Sequence, residues 1–197
     1  MLMALMTAMW PELWKTSEFE ARTAQVEEFN AQNRWRKRGL AMHGVKYGIG
    51  FTEPRGSLNA SSALVNVNLG DGSVTIIHGG VEMGQGLYTK IRGIAAAELG
   101  IDPEHVRVGA TNTAKVPNTS ATAASSGADL NGMAVKNAID AIKSRMAVAL
   151  VGKFSPSDGT NPSVPADLAF AGGTITDSRH PDRTISFLEA VRWLYLQ

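Results

Sequence analysis

Residues 78–90 of the chain, HGGVEMGQGLYTK, gather four glycines around one amide side chain, Gln85, immediately before an amphipathic helical pattern. Glycines let a bulky ligand approach the backbone, and a helix N-terminus supplies unpaired N–H donors, so this order of residues predicts an anion-binding loop. A second stretch, residues 119–127 (TSATAASSG), is made of small and hydroxyl residues and also runs into a helical pattern. Backbone N–H groups at such places form anion-binding concavities, to which Gln85, Ser125 and Ser126 would add side-chain hydrogen bonds. Together the two loops suit a ligand bearing phosphate or several polar heteroatoms. On glycine content alone, a structural loop fits as well as a binding loop.

Other chemistries are poorly supported. A phosphate-binding P-loop needs Gly-Lys-Ser/Thr at the helix start, where this chain has Gly86-Leu87-Tyr88. The dinucleotide pattern fails because no third glycine follows Gly84-Gln85-Gly86 at the required spacing. Glu82 is a candidate acid or base, but a loop carboxylate more often bonds backbone. His78 ends a strand pattern with no second histidine nearby, which predicts a structural role, and His43, His105 and His180 lack ligand spacing. Asp129 fits the N-cap of a long helix. With no cysteine in the chain, disulfides, thiolate metal sites and iron–sulfur ligation are excluded from it.

The elements that must position these loops are legible from pattern. Residues 63–69 alternate with period two, Gly70-Asp71-Gly72 supplies a turn, and residues 73–78 return, predicting a hairpin whose second strand delivers the glycine loop. Leu87, Ile91, Ile94, Ala95 and Leu99 make one helical stripe closed by Gly100. Asp102-Pro103-Glu104 reads as a capped turn before a strand over 106–110. A long helix is predicted over 129–151, then a Ser/Pro/Gly/Asp-rich surface excursion over 154–183, then a helix opened by the capping box of Ser186 and Glu189. Upstream, Ser17 and Glu20 have the same spacing and predict a helix over 17–32 that docks Phe19, Val26 and Phe29. Residues 40–51 read as strand or extended core.

At 197 residues and 44% apolar content, the chain has material for one globular domain with a sizeable core. A net charge of +1 gives no field to attract nucleic acid or anionic lipid, and the run from Arg34 to Arg38 reads as solvated surface. The apolar start, MLMALMTAMW, lacks a positive flank and is shorter than the roughly 20 residues a bilayer span needs. It reads as core or a truncated leader. The final helical pattern has no C-cap signal, which suggests a cut chain.

Two motifs taken together, GGVEMGQGLYTK and VPNTSATAASSGADLNGMAV, resemble the molybdopterin-binding region of the xanthine dehydrogenase and aldehyde oxidase family. SEFEARTAQVEEFNAQNRWRKRG, VKYGIGF and the closing FLEAVRWLYLQ resemble the same region, so the likeness covers nearly the whole chain apart from the first dozen residues and 154–183. The TAAS step, Thr122 to Ser125, is more similar to the xanthine dehydrogenase branch. The resemblance implies that Met83, Gly84 and Gln85 lie against the pterin and its phosphate, with Gln85 as amide donor. It implies that Ala124, Ser125, Ser126 and Gly127 form the second cofactor contact. Gly127 departs from the small hydroxyl residue usual there, leaving backbone contact alone.

The activity implied is hydroxylation of hypoxanthine and xanthine to urate with oxygen from water, in a cytoplasmic or peroxisomal homodimer. Electrons would pass from molybdenum through 2Fe-2S clusters and FAD to NAD. The family's catalytic glutamate, its substrate-orienting arginine and phenylalanines, and its flavin and cluster domains find no match in this chain. The expectation is therefore one partial domain over 1–197 that is inactive alone, needs the remainder of the enzyme as partner, and exposes apolar surface at its terminal helices. Two alternatives remain: a hydroxylase of the same family acting on aldehydes or nicotinate, and a non-catalytic module that binds cofactor or another subunit. The expected fold is α+β, a small antiparallel sheet with packed helices and both loops at strand-to-helix junctions.

Overall fold

The computed structural model describes residues 2–52, 56–156 and 159–196. The chain forms two compact units, Met1–Gly48 and Ile49–Gln197.

The first unit holds α1 (Leu2–Thr16) and α2 (Phe19–Gln32). The capping box expected at Ser17 does not form, because the chain reaches Ser17 from another helix. The Ser17 hydroxyl turns back to the Trp14 carbonyl at 3.4 Å, Glu20 accepts from the Trp14 indole at 3.2 Å, and Glu18 makes the corner at φ 52°. Phe19 packs on Trp14 with ring centroids 4.3 Å apart. The basic run folds back on α2: Arg38 stacks over Phe29 at 3.8 Å, and the Asn30 amide holds the Arg38 backbone through both its atoms. Residues 40–51, read as strand or extended core, carry no ladder, and Val45, Tyr47 and Ile49 are exposed. Gly44, Gly48 and Gly50 interrupt any continuous strand face.

In the second unit β1 (Ala63–Val67) pairs antiparallel with β2 (Val74–His78), as the period-two pattern requires. Gly72 takes the left-handed turn position at φ 71°, and Asp71 accepts from the Ser73 N–H at 2.9 Å. From β2 the chain crosses through α3 (Leu87–Leu99) to β3 (Val106–Val108), which joins β2 in parallel. Asp102 caps the short turn before β3, accepting from the Glu104 N–H at 2.8 Å. After a long loop, α4 (Gly127–Phe154) packs on α3 and β1. Ile76, Ile91, Leu99, Val135, Ile139 and Leu150 meet there with no more than 1% exposure. Asp129 lies inside the first turn of α4, not at its N-cap; that position belongs to Ser126, whose hydroxyl instead bonds the Ala123 carbonyl at 3.1 Å.

Residues 154–183 are not a surface excursion throughout. They contain β4 (Leu168–Ala171) and β5 (Thr174–Asp177) and begin β6 (His180–Ser186), an antiparallel meander that buries Leu168, Ile175 and Ile185. Strands of four residues separated by Gly172-Gly173 and Ser178-Arg179 show too few alternations to stand out from loop composition. The expected α+β arrangement of small sheet and packed helices is thus present twice, once purely antiparallel and once with a parallel edge. α5 (Phe187–Tyr195) opens with both halves of the Ser186–Glu189 capping box and leaves Tyr195 and Leu196 exposed at its end.

A buried ionic staple closes the second sheet. Asp177 is fully buried and accepts from the Ser163 hydroxyl at 2.5 Å and the Arg179 N–H at 2.9 Å, while Arg183 reaches the Ser163 oxygen at 3.1 Å. Burial pushes the Asp177 carboxyl up, but the Ser163 and Arg179 hydrogen bonds outweigh it and hold the group below its ordinary 3.8. A carboxyl depressed in the folded state stabilises above the unfolded value, and that stabilisation is lost as pH falls through the folded one. Thermal melts of Ser163→Ala should therefore show lower stability at neutral pH and a shallower decline below pH 3.8 than wild type.

Candidate functional site

The glycine loop leaves β2 at His78 and enters α3 at Leu87; the small-residue loop follows β3 and enters α4 at Gly127. Both sit at strand-to-helix junctions, and the fold brings them together. The Val81 N–H donates to the Thr122 hydroxyl at 3.0 Å. A Cβ on Gly79 would stand 2.1 Å from the Thr119 hydroxyl oxygen and methyl, and one on Gly80 would stand 2.5 Å from Leu87 and 2.7 Å from the Asn131 amide nitrogen. These two glycines are there because the second loop and α4 press directly on the first loop.

Beneath the loops lies a polar network that sequence reasoning missed. Asn131, 3% exposed, accepts from the Ser61 hydroxyl at 2.6 Å and donates to the Gly127 carbonyl at 2.8 Å. Thr111 hydrogen-bonds the carbonyls of His78 and Gly80 at 2.9 and 3.0 Å, and its hydroxyl lies 3.2 Å from that of Tyr88. Ser120 ties the second loop to residues 57–60 through its backbone and its hydroxyl. One signal was available: Asn131 stands in phase with Val135 and Ile139 on the buried stripe of α4, where an amide needs a partner.

His78, expected to be structural, is bonded on one side of its ring only: its buried Nε2 has no hydrogen-bond partner among the described residues. The residue is fully buried, its Nδ1 accepts from the Gly80 N–H at 3.1 Å, and its ring meets Tyr88 edge-on at 5.2 Å. An accepting Nδ1 places the proton of the neutral ring on Nε2. Burial lowers its pKa from the ordinary 6.5, with the Asn131 amide opposing in part. Below pH 6.5 the unfolded chain then binds more protons at this site than the folded one, so stability falls from there down to the folded value. Urea melts of His78→Gln should lose that part of the slope between pH 7 and 5; an unchanged slope would assign it to another group.

One expectation is corrected in part: at the start of α3, Glu82 occupies the Gly86 and Tyr88 N–H donors, together with the Gly84 N–H of the loop before it. Its Oε1 accepts from Gly84 at 2.8 Å and Gly86 at 3.0 Å, and its Oε2 accepts from Tyr88 at 2.9 Å. The Tyr88 N–H foremost, then those of Gly86 and Gly84, hold this carboxyl below its ordinary 4.5 against the opposing effect of burial. Such a carboxylate is ill-suited to proton transfer near neutral pH. Gln85 is also engaged, accepting from the Met83 N–H at 2.6 Å and donating to the Val81 carbonyl at 2.9 Å, which leaves one amide hydrogen. The tip itself faces solvent: Met83 is 67% exposed, and nothing lies within 4 Å of a Cβ placed on Gly84.

The second loop is different. Ala124 and Ser125 both take left-handed backbone conformations, at φ 54° and 55°, which cost energy in non-glycine residues and mark a constrained turn. The Ser125 side chain is exposed and has no hydrogen-bond partner among the described residues. No side chain caps the start of α4, a helix of 28 residues, at Ser126. An open helix N-terminus, a free hydroxyl and small residues on one side, with an exposed backbone ridge at residues 83–85 on the other, fit a large polar ligand with an anionic part. Among the described residues no cluster of His, Cys, Asp and Glu could ligate a metal ion directly, and no helix is long and apolar enough to cross a membrane.

Comparison with known proteins agrees in kind. Residues 12–196 match the molybdopterin cofactor-binding domain family. The chain is 50% identical over 137 residues to xanthine dehydrogenase/oxidase of Gallus gallus and 45% identical over 137 residues to aldehyde oxidase 4 of Cavia porcellus, in both cases covering 70% of this chain and 10% of the relative. The solved structure of quinoline 2-oxidoreductase from Pseudomonas putida 86 shares the fold at a TM-score of 0.56 and 22% identity, covering 68% of this chain and 16% of that one. The chain thus spans about 10% of the length of the curated relatives it matches.

Proposed function

Because this chain belongs to the molybdopterin cofactor-binding domain family, we propose that it supplies part of the molybdopterin site of a larger molybdenum hydroxylase most like xanthine dehydrogenase. The observation that carries this reading is the meeting of the two loops, tied by the Val81–Thr122 hydrogen bond and the contact of Gly79 with Thr119. Met83, Gly84 and Gln85 would hold one side of the cofactor through backbone and the one remaining Gln85 amide hydrogen. Ala124, Ser125, Ser126 and Gly127 would hold the other through backbone N–H groups at the start of α4 and the Ser125 hydroxyl. When bound, the molybdenum cofactor supplies the redox centre of the hydroxylation. The chain's own part is to orient that group and keep its anionic end at a helix dipole.

In the whole enzyme, hypoxanthine and xanthine would be oxidised to urate with oxygen from water, and electrons would leave through 2Fe-2S clusters and FAD to NAD. The whole of residues 1–197 would form part of one such domain, in a cytoplasmic homodimer. The likeness to aldehyde oxidase 4 at 45% identity supports a second reading, an aldehyde hydroxylase of the same family. Expression with the adjoining coding sequence, followed by turnover in 18O-labelled water, separates the two. Urate carrying the label and NAD reduction support the first reading, labelled carboxylate from an aldehyde with no urate supports the second, and neither product contradicts both.

A further inference from the structure

We propose that Glu82 is a positioning residue for the cofactor loop, a built-in anion at the start of α3 that sets the shape of residues 83–86 and keeps the cofactor's anionic end off this helix. The cofactor half of this inference rests on the reading above; the loop half does not.

The start of a 13-residue helix carries partial positive charge and unpaired N–H groups, which is where an external anion would ordinarily settle. Here two of those donors, the Gly86 and Tyr88 N–H groups, converge with the Gly84 N–H of the preceding loop on the two oxygens of one side chain. The spacing differs from a capping box, in which the acidic residue lies inside the helix and reaches back to the N-cap. Glu82 precedes the helix and folds the chain over itself, so its bonds fix the loop as well as satisfy the helix. Gly84 and Gly86 are the left-handed points of that fold, at φ 98° and 81°, and both give their N–H to the same Glu82 oxygen. Between them Gln85 is drawn inward to the Met83 N–H and the Val81 carbonyl, which turns the Met83–Gly84 edge outward. Removing the carboxylate would leave three donors unpaired and release both hinge glycines. It would also open a second anion site in competition with the start of α4, where no side chain occupies the cap.

The test uses the full 197-residue chain and needs no cofactor. Amide hydrogen exchange is followed by NMR in Glu82→Ala and Glu82→Gln. In Glu82→Ala the Gly84, Gly86 and Tyr88 amides should exchange at least about tenfold faster, the loss expected when a charge-assisted hydrogen bond is removed, while the Val135 and Ile139 amides stay unchanged. Sodium formate, a carboxylate small enough for the vacated space, should restore protection at those three amides, whereas sodium chloride at equal ionic strength should not. Glu82→Gln keeps the shape without the charge and should lose protection with no rescue by formate. Unchanged exchange in either variant, or acceleration in Glu82→Ala that formate does not reverse, overturns the proposal. If formate rescues but molybdopterin never contacts residues 83–85, the cofactor reading fails alone; if molybdopterin contacts them and rescue fails, the Glu82 assignment fails alone.

Discussion

A Gly79→Ala variant is expected to lose contact with the cofactor at both loops while remaining folded. The added Cβ would stand 2.1 Å from the Thr119 methyl and hydroxyl and 2.3 Å from the Thr119 Cβ. Thr119 is short and β-branched, so no rotamer clears all three atoms, and the second loop must move away from the first. Overpacking of this kind costs on the order of 2 kcal/mol, or roughly 4–8 °C in melting temperature for a chain of this size. The larger effect is geometric, because the Val81–Thr122 bond that joins the two loops lies beside that contact. Thr119→Gly in the same chain removes the obstructing atoms and should return most of the loss, since coupling of this kind belongs to touching pairs. A double variant no better than the single one would place the damage elsewhere.

Gly100→Ala should be the most destabilising single methyl added to the chain. Gly100 ends α3 at φ 67°, a conformation that costs an L side chain about 1–2 kcal/mol. Its Cβ would also stand 2.4 Å from the Phe170 carbonyl carbon and oxygen and 2.5 Å from the Ala171 nitrogen. Those are backbone atoms of β4, so nothing flexible can yield. The same residue accepts from the Gly173 N–H at 2.6 Å, which joins the helix end to the second sheet. Strain and overlap together amount to roughly 3 kcal/mol, and the melting temperature should fall by about 6–12 °C. Gly93→Ala in the same helix meets no atom within 4 Å and should raise stability by about 0.5–1 kcal/mol. Opposite signs for two Gly→Ala changes in one helix separate close approach from helix propensity.

Gly100 also shows how far the sequence is readable. Its position after a helical stripe predicted the cap, because the rule is local; that its missing side chain makes room for β4 is a property of packing. The hairpin at 63–78 and the Ser186–Glu189 box were legible for the same local reason. The Ser17–Glu20 box had equal spacing and failed, since a second helix, α1, leads into it and spends Ser17 and Glu20 on Trp14. The four-residue strands β4 and β5 were hidden by brevity, and Asp177 on β5 falls within the stretch read as a surface excursion, although it is fully buried.

At the site, the residue types of both loops were legible and their meeting was not, because it depends on partners 41 residues apart such as Val81 and Thr122. Glu82 is the sharpest case. Its place ahead of Gly84 and Gly86 follows no capping rule, yet it occupies two of the N–H donors, Gly86 and Tyr88, that made the start of α3 look like an anion site. The open helix end belongs to the second loop instead, at Ser125 to Gly127.

The central claim is that the two loops form one contact surface for molybdopterin. It is tested most directly by following the backbone amides of the full chain by NMR during anaerobic titration with molybdopterin, which registers even weak binding by an incomplete site. The account predicts concentration-dependent shifts gathered at Met83, Gly84 and Gln85 and at Ala124, Ser125, Ser126 and Gly127, with the two groups titrating together. Shifts confined to one loop, scattered over the rest of the chain, or absent at saturating pterin would contradict it.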